Sequence, residues 1–167
     1  RELLDATRAN AGAQLKLNFE RCEAGRLARE VINELTLRGG DRFVLDVNDT
    51  VHGWWDCERL KQALNNLLEN ALKYGREATP ITCRVSTTDG RVFFSVHNEG
   101  KPIPKEQIPV LFLPFRRAVE AEHSSSPGWG LGLVMVQTIA QAHGGSVGVE
   151  SSEHEGTIFT IDIMCDA

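Results

Sequence analysis

The stretch NNLLENALKYG, residues 65–75, constrains this chain more than any other. Leu60, Ala63, Leu64, Leu67, Leu68, Ala71 and Leu72 recur at the i, i+3, i+4, i+7 spacing of a helix that buries one stripe. Asp56 reads as its N-cap and Gly75 as the C′ residue that closes it. Asparagine is a mediocre helix former because its amide competes for the backbone. Yet at ~100° per residue Asn66, Asn70 and Lys73 share roughly a 60° arc away from the apolar stripe. A solvated face is one reading of that arc, although Glu, Lys or Gln would fill it at lower cost. The other is a site for a ligand with a metal and phosphates. An amide oxygen suits Mg²⁺, and an ammonium neutralises phosphate charge.

Around this helix the chain divides into short elements. RELLDATRAN resembles the tail of a helix arriving from upstream, and AGAQLKLNFERCEAG reads as an extended linker. GRLAREVINELTLRG is a second amphipathic helix, with Leu27, Ala28, Val31, Ile32 and Leu35 on one side and Gly39–Gly40 at its end. RFVLDV and a short piece at Trp54–Trp55 read as strands. ITCRVSTT and RVFFSVHN form a hairpin through Asp89–Gly90. Residues 99–128 are rich in Pro, Ser and charge, a length that suggests a functional lid. LGLVMVQTIAQAH is a helix, and SVGVES and GTIFTIDI are two closing strands. The order predicts an α/β fold, a two-layer sandwich of helices on a mixed, mainly antiparallel sheet. Residues 1–19 are the expected upstream tail and linker, and 20–167 the domain.

Charge and cysteine content narrow the partners. A net charge of −5 argues against nucleic acid, which relies on clustered Lys and Arg. No run approaches ~20 uninterrupted apolar residues, so no membrane span is expected. The polar start carries no signal peptide, and the absence of an initial Met suggests a piece of a longer protein. Cys22, Cys57, Cys83 and Cys165 are scattered without a C-x-x-C, which reads as reduced thiols in a cytoplasmic protein and offers no zinc motif.

NLLENALKY, NEGKPIP, LFLPFRR, GWGLGL and GTIF follow one another in an order and spacing that resemble the catalytic and ATP-binding domain of sensor histidine kinases. That domain belongs to the GHKL superfamily with gyrase, heat-shock chaperones and mismatch-repair ATPases, and its fold is of the Bergerat type. The resemblance covers roughly residues 20–165 and implies ATP and Mg²⁺ as ligands. It implies that Asn70 binds Mg²⁺, that Asn66 and Lys73 approach the phosphates, and that Tyr74 belongs to the same box. Asn66 stands where the superfamily's hydrolases carry a glutamate, and an amide cannot act as general base. The likeness is therefore to a phosphoryl-transferring domain. Glu69 lies around the helix and reads as solvated.

Asn98, Gly100, Pro102 and Ile103 match the first glycine box, with two departures. Asn98 replaces the aspartate that accepts from the adenine amino group. Its carbonyl can still accept, without a charge-assisted bond, while an amide turned around would donate and relax discrimination against guanine. Pro102 replaces a glycine and stiffens the entry to the lid. Phe112 and Phe115 would pack the lid, and Arg117 matches the arginine that reaches the terminal phosphate. Gly128, Gly130, Leu131 and Gly132, opening a helix, would hold the phosphate chain through backbone N–H groups. Leu131 and Leu133 also read as core. Thr157 either lines the nucleotide pocket or completes a strand edge.

None of His52, His97, His123, His143 or His154 has the context of a phosphoacceptor, which is then expected upstream of Arg1. His143, in a last helical turn, reads as a favourable partner for the negative helix end. Ser124 to Pro127 has no base at a motif spacing and reads as part of the lid. Two functions stay open. One is the kinase domain of a two-component sensor, with its own dimerisation domain and a response regulator as partners in a homodimeric protein. The other is a nucleotide-binding signalling module without phosphotransfer. A superfamily serine kinase of the anti-sigma type is disfavoured by LFLPFRR.

Overall fold

Strand alternation and helical periodicity sort the chain into two layers in the computed structural model, which describes residues 15–38, 41–113 and 129–166, the first three of the last segment by backbone only. The strands are β1 (Glu20–Glu23), β2 (Phe43–Val47), β3 (His52–Trp55), β4 (Ile81–Thr88), β5 (Arg91–Asn98), β6 (Ser146–Ser152) and β7 (Gly156–Met164). The helices are α1 (Ala24–Leu37), α2 (Cys57–Tyr74) and α3 (Trp129–Ala142), with a 3-10 turn at Lys105–Val110. A five-stranded sheet runs β2-β4-β5-β7-β6, parallel between β2 and β4 and antiparallel elsewhere. This is the mixed, mainly antiparallel sheet expected, with the three helices layered on it.

Local chemistry explains the elements. The β4–β5 hairpin turns at Asp89 and Gly90, both at positive φ (51° and 77°), the backbone that a two-residue turn between right-twisted strands requires. Alternation along β5 buries Val92, Phe94 and Val96, and along β7 it buries Phe159, Ile161 and Ile163. The predicted stripe of α2 is buried from Leu60 to Ala71, with Leu72 half-buried at its margin. Leu133, Val136 and Ile139 of α3 meet it in one continuous core. Gln and Thr are the only polar side chains between Leu133 and Ala142, so α3 reads as apolar nearly all round, as a helix held inside a layer should.

Three expectations are corrected. The segment read as an extended linker contains β1, which pairs with β3 in a separate two-stranded sheet, from Glu20 opposite Trp55 to Glu23 opposite His52. Gly75 caps α2 in extended backbone (φ −73°, ψ 153°), not as a left-handed C′ residue. Its N–H donates to the Ala71 carbonyl at 2.8 Å. Cys22 and Cys57 are joined in a disulfide, with Cα atoms 6.0 Å apart, where reduced thiols were expected. The pairing brings together two residues 35 apart in sequence, which no local spacing announces. In the stretch expected to form a lid, the residues just before 114 pack on the body. Leu111 is fully buried, and the rings of Phe112 and Phe159 meet edge-on at 6.3 Å. The upstream tail, Gly39–Gly40 and residues 114–128, including Phe115, Arg117, His123, the Ser124–Pro127 stretch and Gly128, lie outside the described residues.

His143 also differs from its expected role. It is fully buried. Its Nε2 accepts from the Asp56 N–H at 3.1 Å, and its Nδ1 donates to the Ile139 carbonyl at 2.8 Å. Burial holds the imidazole below its ordinary pKa, against the opposing pull of the Ile139 carbonyl and the Asp56 carboxylate. It therefore serves the end of α3 through a neutral hydrogen bond and not through charge.

Candidate functional site

The inward rows of β5 and β7 are apolar until their last pair, where they turn polar. Asn98 and Thr157 lie opposite one another in the register, and both are buried, at 6% and 4% exposure. A buried polar side chain needs partners, so such a pair marks either an internal network or a ligand site. Thr157 Oγ1 lies 2.7 Å from Ser151 Oγ on the neighbouring β6. The Asn98 Nδ2 donates to its neighbour's carbonyl, Glu99 O, at 3.3 Å, so Oδ1 is the amide atom left to accept. Gly156 permits this arrangement. At φ 78° it passes so close to β5 that a Cβ there would lie 2.3 Å from the Asn98 carbonyl oxygen.

The chain leaving β5 is held on both sides. Glu99 O accepts from Arg76 N at 2.6 Å, which docks the loop on the C-terminal end of α2. Gly100, at φ 149°, lies where a Cβ would meet the Tyr74 carbonyl oxygen at 3.0 Å, so only glycine seats comfortably there. Three residues on, Ile103 N donates to Ser151 Oγ at 2.9 Å. Pro102 and Ile103, both half-buried, thus bridge from α2 to the β6–β7 edge. Ser151 organises this side of the site, and sequence reasoning missed it. Its hydroxyl is legible only once the register sets it opposite Thr157.

On the helix layer, the end of α2 reaches this pair, since a Cβ on Gly75 would lie 3.2 Å from the Asn98 Cβ. Asn66 Nδ2 donates to Gly132 O in the first turn of α3, at 3.4 Å. This contact joins two of the boxes read from the sequence across 66 residues of chain. Asn70 follows one turn on and is half-buried. No hydrogen-bond partner for its amide is found among the described residues. An amide so placed fits a hard cation, which takes oxygen ligands and keeps several waters. Among the described residues, no three His, Cys, Asp or Glu side chains gather into an alternative metal site. Lys73 is exposed and Tyr74 half-buried, on the final turn. Gly130 and Leu131 lie in the first turn of α3, described by backbone only.

Glu69 is accounted for away from this cluster. It accepts from Asn65 Nδ2 and lies 3.8 Å from Arg38, just beyond α1. His97 Nε2 donates to the Glu155 carbonyl at 2.6 Å, and His143 is enclosed by the core.

Residues 55–166 match the family described as histidine kinase-, DNA gyrase B- and HSP90-like ATPase. The chain belongs to this family. Within the family it is 45% identical, over 64% of its length, to the sensor histidine kinase YkoH of Bacillus subtilis. It is 34% identical, over 95% of its length, to the adaptive-response sensory kinase SasA of Synechococcus elongatus. It spans 23% and 41% of the lengths of these two relatives. Among solved structures, a nucleotide-free form of the catalytic domain of histidine kinase ThkA superposes with a TM-score of 0.75 at 29% identity, covering 90% of this chain and 97% of that one. Full-length ShkA in complex with AMPPNP superposes with a TM-score of 0.80 at 27% identity, covering 99% of this chain and 35% of that one. As a member of an ATPase family, the domain is a nucleotide-using one. Among its described residues no helix is long and apolar enough to cross a membrane.

Proposed function

We propose that this chain is the ATP-binding kinase domain of a two-component sensor histidine kinase, transferring the γ-phosphoryl of ATP to a histidine on a separate helical dimerisation domain. The observation that carries the reading is the contact of Asn66 with Gly132 in the first turn of α3, on a helix whose closing residue Gly75 packs against Asn98. The relatives named above are sensor histidine kinases, and ShkA was solved with a nucleotide analogue. With Nδ2 engaged on Glu99, Asn98 Oδ1 would accept from an adenine amino group. Thr157 and Ser151 line the same end of the sheet. Backbone N–H groups at Gly128, Gly130, Leu131 and Gly132 and the positive end of α3 receive the phosphates. Ile103 and Gly100 set the path of the chain past the base.

Asn70 is the residue that would hold Mg²⁺, which when bound neutralises charge on the phosphates. Lys73 and Arg117 add positive charge on the transferred group, and Asn66 orients it, so catalysis rests on positioning and electrostatics. Asn66 in place of a carboxylate leaves no base to activate water there, which favours transfer over hydrolysis. The partners under this reading are the protein's own dimerisation and phosphoacceptor domain and a response regulator, in a homodimer whose kinase domain faces the cytoplasm.

The test uses γ-labelled ATP with this chain and a separately produced dimerisation domain of the parent protein carrying its histidine. Acid-labile label should appear on the added domain and none on the chain alone. Nucleotide binding without label on the added domain would establish the alternative, a nucleotide-sensing module. A thermal-shift comparison accompanies it: ATP should stabilise the chain more than GTP does, and equal stabilisation would show that Asn98 turns to donate.

A further inference from the structure

The loop between α2 and β4 is held in a strained shape. Ala78 lies at φ 64°, a left-handed backbone that a residue with a Cβ adopts only when its surroundings impose it. Three donors converge on the carbonyl oxygen of Arg76, two residues before it. They are Thr79 N at 3.3 Å, Thr79 Oγ1 at 2.5 Å and Arg42 Nη2 at 2.8 Å. Arg42 Nε donates in addition to the Thr79 carbonyl at 3.0 Å. The planar guanidinium thus bridges both ends of the strained turn through two fixed donors.

Arg42 is itself anchored. Its carbonyl accepts from Ile81 N at 3.0 Å, beside the Phe43–Ile81 pair that opens the parallel β2–β4 ladder. The side chain therefore reaches out from a fixed corner of the sheet. On its other side the loop meets the chain leaving β5. Arg76 N donates to Glu99 O at 2.6 Å, and the same oxygen receives Asn98 Nδ2 at 3.3 Å. The carbonyl that orients the Asn98 amide is thus positioned by the peptide that Arg42 holds. A Cβ added to Gly75 would lie 3.2 Å from Asn98 Cβ and 3.4 Å from Arg42 Nη2, so the guanidinium and Asn98 flank one glycine. The exposed ion pair of Arg76 with Glu99, at 3.7 Å, adds little.

We infer that Arg42 is a positioning residue for base selection. By clamping the turn at 76–79 it holds Glu99 O against Asn98 Nδ2, and so keeps Oδ1 as the amide atom presented to the base. The inference rests on the nucleotide reading given above. With the clamp removed, the Arg76 N–H no longer fixes Glu99 O, and the Asn98 amide is free to turn. A turned amide donates to a base oxygen as readily as the other orientation accepts from a base amino group. Arg42 acts through the loop, at the base end of the site. Its loss therefore changes which base is preferred, and leaves the phosphates and Mg²⁺ held as before.

The experiment measures Kd for ATP and GTP by calorimetry, with Mg²⁺, on the parent, Arg42→Ala, Thr79→Val and Thr79→Ser. Arg42→Ala should weaken ATP about fivefold, roughly the net worth of one hydrogen bond, while GTP binding holds or tightens. Thr79→Val removes the hydroxyl donor at nearly constant shape and should shift the preference the same way, and Thr79→Ser should keep the parent's. Withdrawal of Mg²⁺ should weaken ATP binding by the same factor throughout. A role confined to stability would lower Tm and leave the ATP-to-GTP preference where it is. A second readout needs no nucleotide: by NMR, the Arg76 amide should exchange severalfold faster in Arg42→Ala, relative to amides in the middle of β5. No ATP binding by the parent would overturn the nucleotide reading and this inference with it. A parent that binds ATP and GTP equally would overturn the inference alone. So would an Arg42→Ala variant, or a Thr79→Val variant should the first fail to fold, that keeps the parent's preference.

Discussion

The two ends of α2 are built on opposite principles. At the N-terminal end the capping residue Asp56 is engaged within the protein on every side. Asp56 caps the helix through Arg59 N at 3.1 Å, receives Asn18 N at 2.9 Å, and donates its own N–H to His143. Cys57 is tied to Cys22, and Phe19 closes edge-on over His143 at 5.7 Å. Further along this 18-residue helix, in its C-terminal half, Asn70 has no partner among the described residues and Asn66 spends one amide hydrogen on α3. One end spends its hydrogen-bonding capacity on the fold, and the other leaves the Asn70 amide without a partner among the described residues. The difference teaches where to look for stability and where for function along a single helix.

Breaking the knot should cost the most stability. Reducing the disulfide, or replacing it by Cys22→Ala, should remove about 3 kcal/mol and lower Tm by roughly 6–12 °C, as measured by thermal melts with and without dithiothreitol. A melt unchanged by reduction would show that the two sulfurs are not linked in solution. Next in size is Gly156→Ala, which tests the sheet under the site. A Cβ 2.3 Å from the Asn98 carbonyl oxygen should cost about 2–3 kcal/mol in urea unfolding and weaken ATP binding by displacing Asn98. Asp56→Ala should follow, losing a cap and the Asn18 anchor for about 1–2 kcal/mol in the same assay, with Mg²⁺ dependence of nucleotide binding retained.

The knot also carries a pH signature. His143 titrates below its unfolded value of ~6.5, so the folded state binds fewer protons than the unfolded one in that window. Its contribution is complete above the unfolded value and is lost as pH falls through the folded one. Urea unfolding should therefore show stability declining with falling pH below ~6.5, by at most about 1.4 kcal/mol per unit for one proton, and His143→Gln should flatten that slope. At the other end of α2, Asn70→Ala should change stability by no more than about 0.5 kcal/mol, because the amide has no partner among the described residues.

These contrasts also mark what was legible in the sequence. The stripe from Leu60 to Ala71, the Asp56 cap and the Asp89–Gly90 turn are local patterns, and the chain obeys them. Local periodicity likewise set Asn66 and Asn70 on one side of α2. What escaped depends on pairing over long distances. β1 is four residues long, without marked alternation, and becomes a strand only because His52–Trp55 supplies its partner. Ser151 acquires its role from the β6–β7 register, and Cys22 and Cys57 meet through tertiary packing of β1 on α2. His143 looked like a charged helix end because its sequence neighbours do not reveal the Asp56 N–H that meets it in the core.

The central claim, that the open end of α2 holds a Mg²⁺-dependent nucleotide site, is tested most directly by calorimetric titration of the chain with ATP, with and without Mg²⁺, beside Asn70→Ala. The account predicts saturable binding that weakens when Mg²⁺ is withdrawn from the parent and is insensitive to Mg²⁺ in a variant of unchanged Tm. Binding of ATP by Asn70→Ala with the parent's full Mg²⁺ dependence, or no binding by the parent under either condition, would contradict it.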